Sequence, residues 1–279
     1  MKFDLHCHST ASDGKLSPDA VLQRASEAGL DLFALTDHDT LEGFRQVSHG
    51  HGVPYFVPGI ELSSVWNGVS VHIVGLDFDP EHPALLQMIA VLRSAREQRA
   101  HMIDKRLADK DMPGTLQGAL QYCPDIGQLG RPHFAEYMLE QAYVGSITEA
   151  FDRWLGNGKI GDIKTLWPDL ADAVNAIVAA GGVAVLAHPL RYKMTFSKLR
   201  RLIDAFADAG GQAVEVAGSQ MQPDQKKQLL QYVVQKGLAG SGGSDFHHPD
   251  WRWAQIGHID ALPPHVKPVW QLFARTRID

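Results

Sequence analysis

Two histidines and an aspartate fall within eight residues in Asp4-Leu5-His6-Cys7-His8-Ser9-Thr10-Ala11-Ser12-Asp13-Gly14. If residues 2–8 are extended, side chains alternate, so His6 and His8 share one face while Leu5 and Cys7 take the other. Two imidazoles on one face are half of a metal site. The turn Ser12-Asp13-Gly14 uses residue types that tolerate tight turns and could bring Asp13 back over the strand end. A single His-x-His pair is as easily structural as functional, and its weight comes from repetition. Thr36-Asp37-His38-Asp39 follows the apolar run Leu32-Phe33-Ala34-Leu35, and Glu61 closes the run from Tyr55. His72 sits inside residues 69–75, His188 follows Val183-Ala184-Val185-Leu186-Ala187, and Asp245 and His247 follow Leu238-Ala239-Gly240-Ser241.

The elements that must position these groups alternate between strand and helix. Ser17-Pro18-Asp19 reads as an N-cap and first turn, Val21, Leu22, Ala25 and Ala28 as a buried stripe, and Gly29 as the stop. Helical spacing recurs from Pro83 (Leu85, Leu86, Met88, Ile89, Leu92), over 170–178, over 199–206 and over 224–235. Such alternation implies a parallel sheet, and at this length a barrel whose active site gathers at the C-terminal strand ends. Residues 99–165 break the rhythm with Met112-Pro113-Gly114 and Gly156-Asn157-Gly158, and read as a small helical insertion that caps the substrate. Residues 1–98 and 166–279 are left to the barrel.

With 279 residues, 44% hydrophobic and 21% charged, the composition is that of a globular chain with a sizeable core. A net charge of −6 argues against a broad non-specific nucleic-acid surface. No apolar run reaches the roughly 18 residues of a membrane span. Asp4 and His6 interrupt the first apolar segment, unlike a signal peptide, and two cysteines, Cys7 and Cys123, fit a reducing, cytoplasmic setting.

Taken in order, the motifs from Asp4-Leu5-His6-Cys7-His8-Ser9 through Ala187-His188-Pro189 to Ser244-Asp245-Phe246-His247 resemble those of the PHP (polymerase and histidinol phosphatase) domain family. The resemblance implies a distorted (β/α)7 barrel with up to three divalent ions, manganese first, zinc or iron as alternatives. By motif, one ion would take His6, His8, Glu61 and Asp245, a second Glu61, His72 and His188, and a third Asp13, His38 and His247. No catalytic group beyond metal-bound water is implied. The stretch after His8 and Gly130-Arg131-Pro132-His133 resemble the stand-alone branch acting on nucleoside 3′,5′-bisphosphates and short RNA. The expected reaction is hydrolysis of the bisphosphate's 3′-phosphate, with 5′-3′ trimming of short RNA beside it. Histidinol-phosphate hydrolysis and metal-dependent amide hydrolysis are the alternatives.

Arg93, Arg96 and Arg99 recur along one helix side, and Arg131 and His133 open another helix; these five are the candidates for gripping a second phosphate. A solvated basic face would look the same. Trp66, Tyr137, Tyr143 or Trp251 could stack on a base, and none is assigned; His248, His258 and His265 have no place in the ligand set and are left as supporting, substrate-facing or surface residues. The expected partner is a small nucleotide or short RNA, with no membrane and no stable protein partner.

Overall fold

Seven strands line up in sequence order in one sheet of the computed structural model, which describes residues 1–47, 53, 55–218 and 221–278. They are β1 (Phe3–Asp4), β2 (Leu32–Leu35), β3 (Tyr55–Trp66), β4 (Val69–Leu76), β5 (Val183–Leu186), β6 (Ala213–Gly218) and β7 (Ala239–Gly243). Pairing is parallel for β1–β2, β2–β3, β5–β6 and β6–β7. β4 runs antiparallel to both β3 and β5, so the sheet is not uniformly parallel. The reversal is local: Asn67 (φ 46°) and Gly68 (φ 71°) both take left-handed conformations, the requirement of a tight hairpin turn between β3 and β4.

The last strand returns to the first. The Leu5 N–H donates to the Gly242 carbonyl (3.1 Å), Asp245 N–H to His6 O (2.8 Å) and His8 N–H to Phe246 O (2.9 Å). The buried Asp4 carboxylate reinforces the seam by accepting from the Ser244 N–H (2.9 Å) and the Gly257 N–H (2.8 Å). The result is a nearly closed (β/α)7 barrel, distorted by the reversed strand.

Nine α-helices are found among the described residues: α1 (Pro18–Glu27), α2 (Glu42–Gln46), α3 (Pro83–Ala108), α4 (Thr115–Ala119), α5 (Arg131–Glu140), α6 (Ile147–Ala150), α7 (Leu170–Ala179), α8 (Phe196–Asp208) and α9 (Pro223–Gln235). The Ser17 hydroxyl caps α1 by accepting the Ala20 N–H, and Gly29 ends it with φ 66°. Asp169 caps α7 and Thr195 caps α8 in the same way. Both faces of β2 are buried, which is why its sequence is apolar without alternation. Leu32 and Ala34 pack with Phe3, Leu5, Val57, Val74 and Val185. Phe33 and Leu35 pack instead with Val21, Leu22 and Ala25 of α1. Each such fully buried large side chain contributes roughly 1.5–3 kcal/mol.

The chain divides into two units, Met1–Ile89 with Pro168–Asp279, and Ala90–Trp167. The second unit has its own apolar core, including Ile103, Leu107, Phe134, Met138 and Leu155, and contains a π-helical turn at Phe151–Leu155. No described helix is long and apolar enough to cross a membrane.

Candidate metal centre

Glu61, buried on β3, is the hub of the strand-end residues. Its Oε2 lies 3.0 Å from His6 Nε2, 3.1 Å from His8 Nε2 and 3.1 Å from His38 Nδ1. Its Oε1 lies 2.9 Å from His72 Nδ1 and 3.0 Å from His188 Nε2. Five imidazoles from four different chain segments therefore surround one carboxylate. The reversed β4 makes this possible for His72, because the hairpin register sets it opposite Ser63, diagonal to Glu61 on the same sheet.

Three groups of donors emerge whose ligand atoms lie within 4.8 Å of one another: His6, His8, Glu61 and Asp245; His8, Asp13, His38 and His247; and His38, Glu61 and His72. His8 and His38 each serve two groups, and His188 joins through Glu61. The nine residues named from sequence are thus brought to one place, with His6, His8, Glu61 and Asp245 buried and Asp13, His38, His72, His188 and His247 partly exposed.

The donor set fits a cation. His8 Nδ1, Asp13 Oδ1, His38 Nδ1, Glu61 Oε2 and His188 Nδ1 are buried and have no hydrogen-bond partner among the described residues. Orphaned polar atoms of this kind are costly, and imidazole with carboxylate is the donor chemistry of borderline divalent ions. Electrostatics agree. Burial works to lower the pKa of His8, yet Asp245 and Glu61 outweigh it and raise it to about 10. Burial likewise opposes ionisation of Glu61 and Asp245, but the surrounding imidazoles hold both carboxyls well below their usual range. His38 goes the other way, down to about 3, because burial and its neighbours His8 and His72 outweigh Glu61 and Asp13. Glu61 and Asp245 are thus held ionised and His38 neutral, the forms that bind a cation.

Further carboxylates hold the donors in place. Glu215 on β6, buried in an apolar strand, lies 2.6 Å from His6 Nδ1 and accepts the His188 backbone N–H at 2.5 Å. It fixes the His6 ring with Nε2 toward the cage, as outer partners of metal-binding histidines do. Glu215 lies outside the sequence motifs, although a glutamate in the middle of Ala213-Val214-Glu215-Val216 signals a buried charge needing partners. Asp37 accepts from Ser9 N–H (2.7 Å), Ser9 Oγ (2.7 Å) and Ser12 Oγ (2.6 Å), pinning the loop that carries Asp13. Gly43 is required beside it, since a Cβ there would lie 1.9 Å from Asp37 Oδ2. Asp39 accepts from the Ser63 N–H (2.6 Å) and Oγ (2.8 Å). Two aspartates thus flank His38, one gripping each neighbouring segment. His188 (φ 29°), Asp245 (φ 53°) and Asp39 (φ 57°) occupy left-handed backbone, strain of the sort concentrated at functional sites. Arg191 donates to Asp245 Oδ2 and, with His188, Leu190, Met221 and Gln225, lines an open cleft at the cage.

The other named residues belong to the second unit. Arg93 makes a two-pronged pair with Asp125, both contacts 2.6 Å. Arg96 and Arg99 are buried with their guanidinium carbons 5.6 and 5.2 Å from the Trp167 ring centre. Arg131, in the first turn of α5, donates to the Leu155 carbonyl (3.0 Å), and His133 Nδ1 accepts the Gly130 N–H (3.0 Å).

A strand barrel that collects imidazoles and carboxylates from separate segments into one cage defines the class of metal-dependent barrel hydrolases. The chain belongs to the PHP-domain family: the model of the PHP domain matches residues 4–99, and relatives extend the match along the whole chain. It is 39% identical over 275 residues to the 5′-3′ exoribonuclease Rnm of Escherichia coli K12, covering 97% of this chain and 93% of that protein. It is 38% identical over 272 residues to the 3′,5′-nucleoside bisphosphate phosphatase of Chromobacterium violaceum, covering 96% and 95%. A solved structure from C. violaceum, described as an amidohydrolase, superposes with TM-score 0.91 at 38% identity, covering 99% of this chain and 97% of that one.

Proposed function

We propose that the protein is a divalent-metal phosphatase that removes the 3′-phosphate of nucleoside 3′,5′-bisphosphates and also releases nucleotides from the 5′ end of short RNA. The observation that carries this reading is the convergence of five imidazoles on Glu61, around buried donor atoms with no hydrogen-bond partner among the described residues. The activities named for the two full-length relatives support the substrate class.

The reading takes three ions, manganese first and zinc or iron as alternatives. One would be held by His6, His8, Glu61 and Asp245, a second by Glu61, His72 and His188, and a third by Asp13, His38 and His247. When bound, such ions supply Lewis acidity toward a phosphoryl oxygen and bring the pKa of a coordinated water toward neutrality. The chain's own residues do the positioning: Glu215 sets the His6 ring, Asp37 sets the Asp13 loop, and the Arg191 fork in the cleft suits phosphate oxygens. Hydrolysis forms a bond from water oxygen to phosphorus and breaks the bond from phosphorus to O3′, which leaves as a hydroxyl. No side-chain nucleophile is required. Cys7 is not one, because burial pushes its thiol well above its usual range.

The grip on a second phosphate is assigned to Arg93, Arg96, Arg99, Arg131 and His133, with Arg131 and His133 foremost. Arg131→Ala should raise KM for the bisphosphate about tenfold or more with kcat nearly held, the pattern of a lost binding contact. Unchanged kinetics would remove Arg131 from the assignment. We place the protein in the cytoplasm, where the free Cys7 and Cys123 stay reduced.

Amide hydrolysis is the second reading, favoured by the description of the C. violaceum structure. The deciding experiment assays the manganese-loaded protein against adenosine 3′,5′-bisphosphate, histidinol phosphate, a 5′-phosphorylated RNA pentamer and an amide panel. The proposal expects bisphosphate turnover to lead. Turnover of amides with none of phosphate esters overturns it.

A further inference from the structure

The rings of the cage continue outward. His8 and His247 stack at 4.1 Å and 26°, His247 and Trp251 follow at 6.0 Å, and Trp251 and Trp253 stack at 5.7 Å and 16°. His248 packs on Trp251 from its own side at 5.9 Å and 24°. Exposure rises along the line, from the buried His8 to 37% at Trp251 and 53% at Trp253. Two neighbouring indoles left in water are the kind of surface that marks a binding site.

The segment holding them is braced. Trp251 N–H donates to the His248 carbonyl (3.2 Å), and Ala254 N–H to the Trp251 carbonyl (3.0 Å). The Gln255 side-chain amide donates to Pro249 O (2.9 Å) and Trp251 O (2.8 Å), and its Oε1 accepts from Arg24 of α1 (3.5 Å). An indole has few rotors, so a braced pair loses little freedom on binding. Charge is balanced here, with Arg252, between the two tryptophans in sequence, exposed and Asp250 exposed beside His248. Stacking, not net charge, is what this surface offers.

We propose that Trp251 and Trp253 form a stacking platform for a base of single-stranded RNA, seating a nucleotide beyond the one being cut at the cage. The inference rests on the phosphoryl-hydrolase reading and deepens it, because the platform has use only for a substrate longer than a mononucleotide. Every base offers a π face, so recognition is tolerant of sequence.

The test variant is Trp253→Ala, since Trp251 touches a cage ring. In the manganese-loaded protein, KM for a 5′-phosphorylated RNA pentamer should rise about 5- to 150-fold, the size of one lost stacking contact, and the loss should persist at raised salt. KM for adenosine 3′,5′-bisphosphate should change less than about twofold, and Trp253→Phe should recover most of the RNA affinity. Binding is read separately, by quenching of tryptophan fluorescence when the metal-stripped protein is titrated with the same pentamer. Wild type should show a quench that Trp253→Ala loses. Equal losses for RNA and bisphosphate, or unchanged pentamer affinity in Trp253→Ala, overturn the platform. Absence of all phosphoryl turnover with the quench intact would instead overturn the phosphatase reading.

Discussion

The cage and the arginine row of the second unit are both clusters of ionisable side chains, and they are finished in opposite ways. Arg93 spends its fork on Asp125, while Arg96 and Arg99 lie buried over Trp167. In the cage, Glu61 faces five imidazoles and its Oε2 still lacks a hydrogen bond, as do Nδ1 of His8, His38 and His188. An arginine already paired, as Arg93 is with Asp125, holds its place without a ligand. A cluster that leaves buried donors open is completed by a ligand.

The largest effect that could break this contrast is at its hub. Glu61→Gln removes the charge that five of the six cage imidazoles face, and should lower kcat by about 1,000-fold or more, beyond the 10- to 100-fold typical of outer-partner changes. A residual rate within tenfold of wild type would mean that the cage does not act as a unit. Glu215→Gln is the intermediate case. It leaves all proposed ligands in place but loosens His6, so metal affinity by chelator competition should fall about 10- to 100-fold with the melting temperature little changed. A large loss of melting temperature with unchanged metal affinity would make Glu215 a structural group only.

The smallest effect belongs to the self-paired cluster. The Arg93 fork beside Asp125 holds its carboxyl below the usual range. A depressed value in the folded state means that the stabilisation is complete above the ordinary carboxylate value of 3.8 and is lost as pH falls through the lowered one. Both side chains are nearly half exposed, so the coupling between Arg93→Ala and Asp125→Ala in a double-mutant cycle, which cancels the cap that Asp125 gives the Gly127 N–H, should be under about 1 kcal/mol at pH 7 and less in acid, by thermal or denaturant unfolding. A coupling that grows in acid would contradict the pairing.

Much of this was legible in the chain because it is local. The cap at Ser17, the stop at Gly29 and the apolar runs that place His38, His188 and Asp245 at strand ends are read from neighbours a few residues apart. Asn67-Gly68 is also a local hairpin signal, and reading the rhythm as uniformly βα passed over it, so the reversal of β4 came from the structure. Other features depend on pairings between distant residues. Glu215 meets His6 across 209 positions, and Asp125 meets Arg93 across 32. Sequence spacing says that a buried glutamate needs a partner, but the register of β6 decides which one. The sharing of His8 and His38 between donor groups is likewise set by tertiary geometry.

Metal content tests the central claim most directly. Protein dialysed against manganese and freed of excess by gel filtration should retain stoichiometric ion by atomic absorption, and Glu61→Gln treated alike should retain little. Trace manganese in the wild type, or equal retention in the two proteins, would contradict the account.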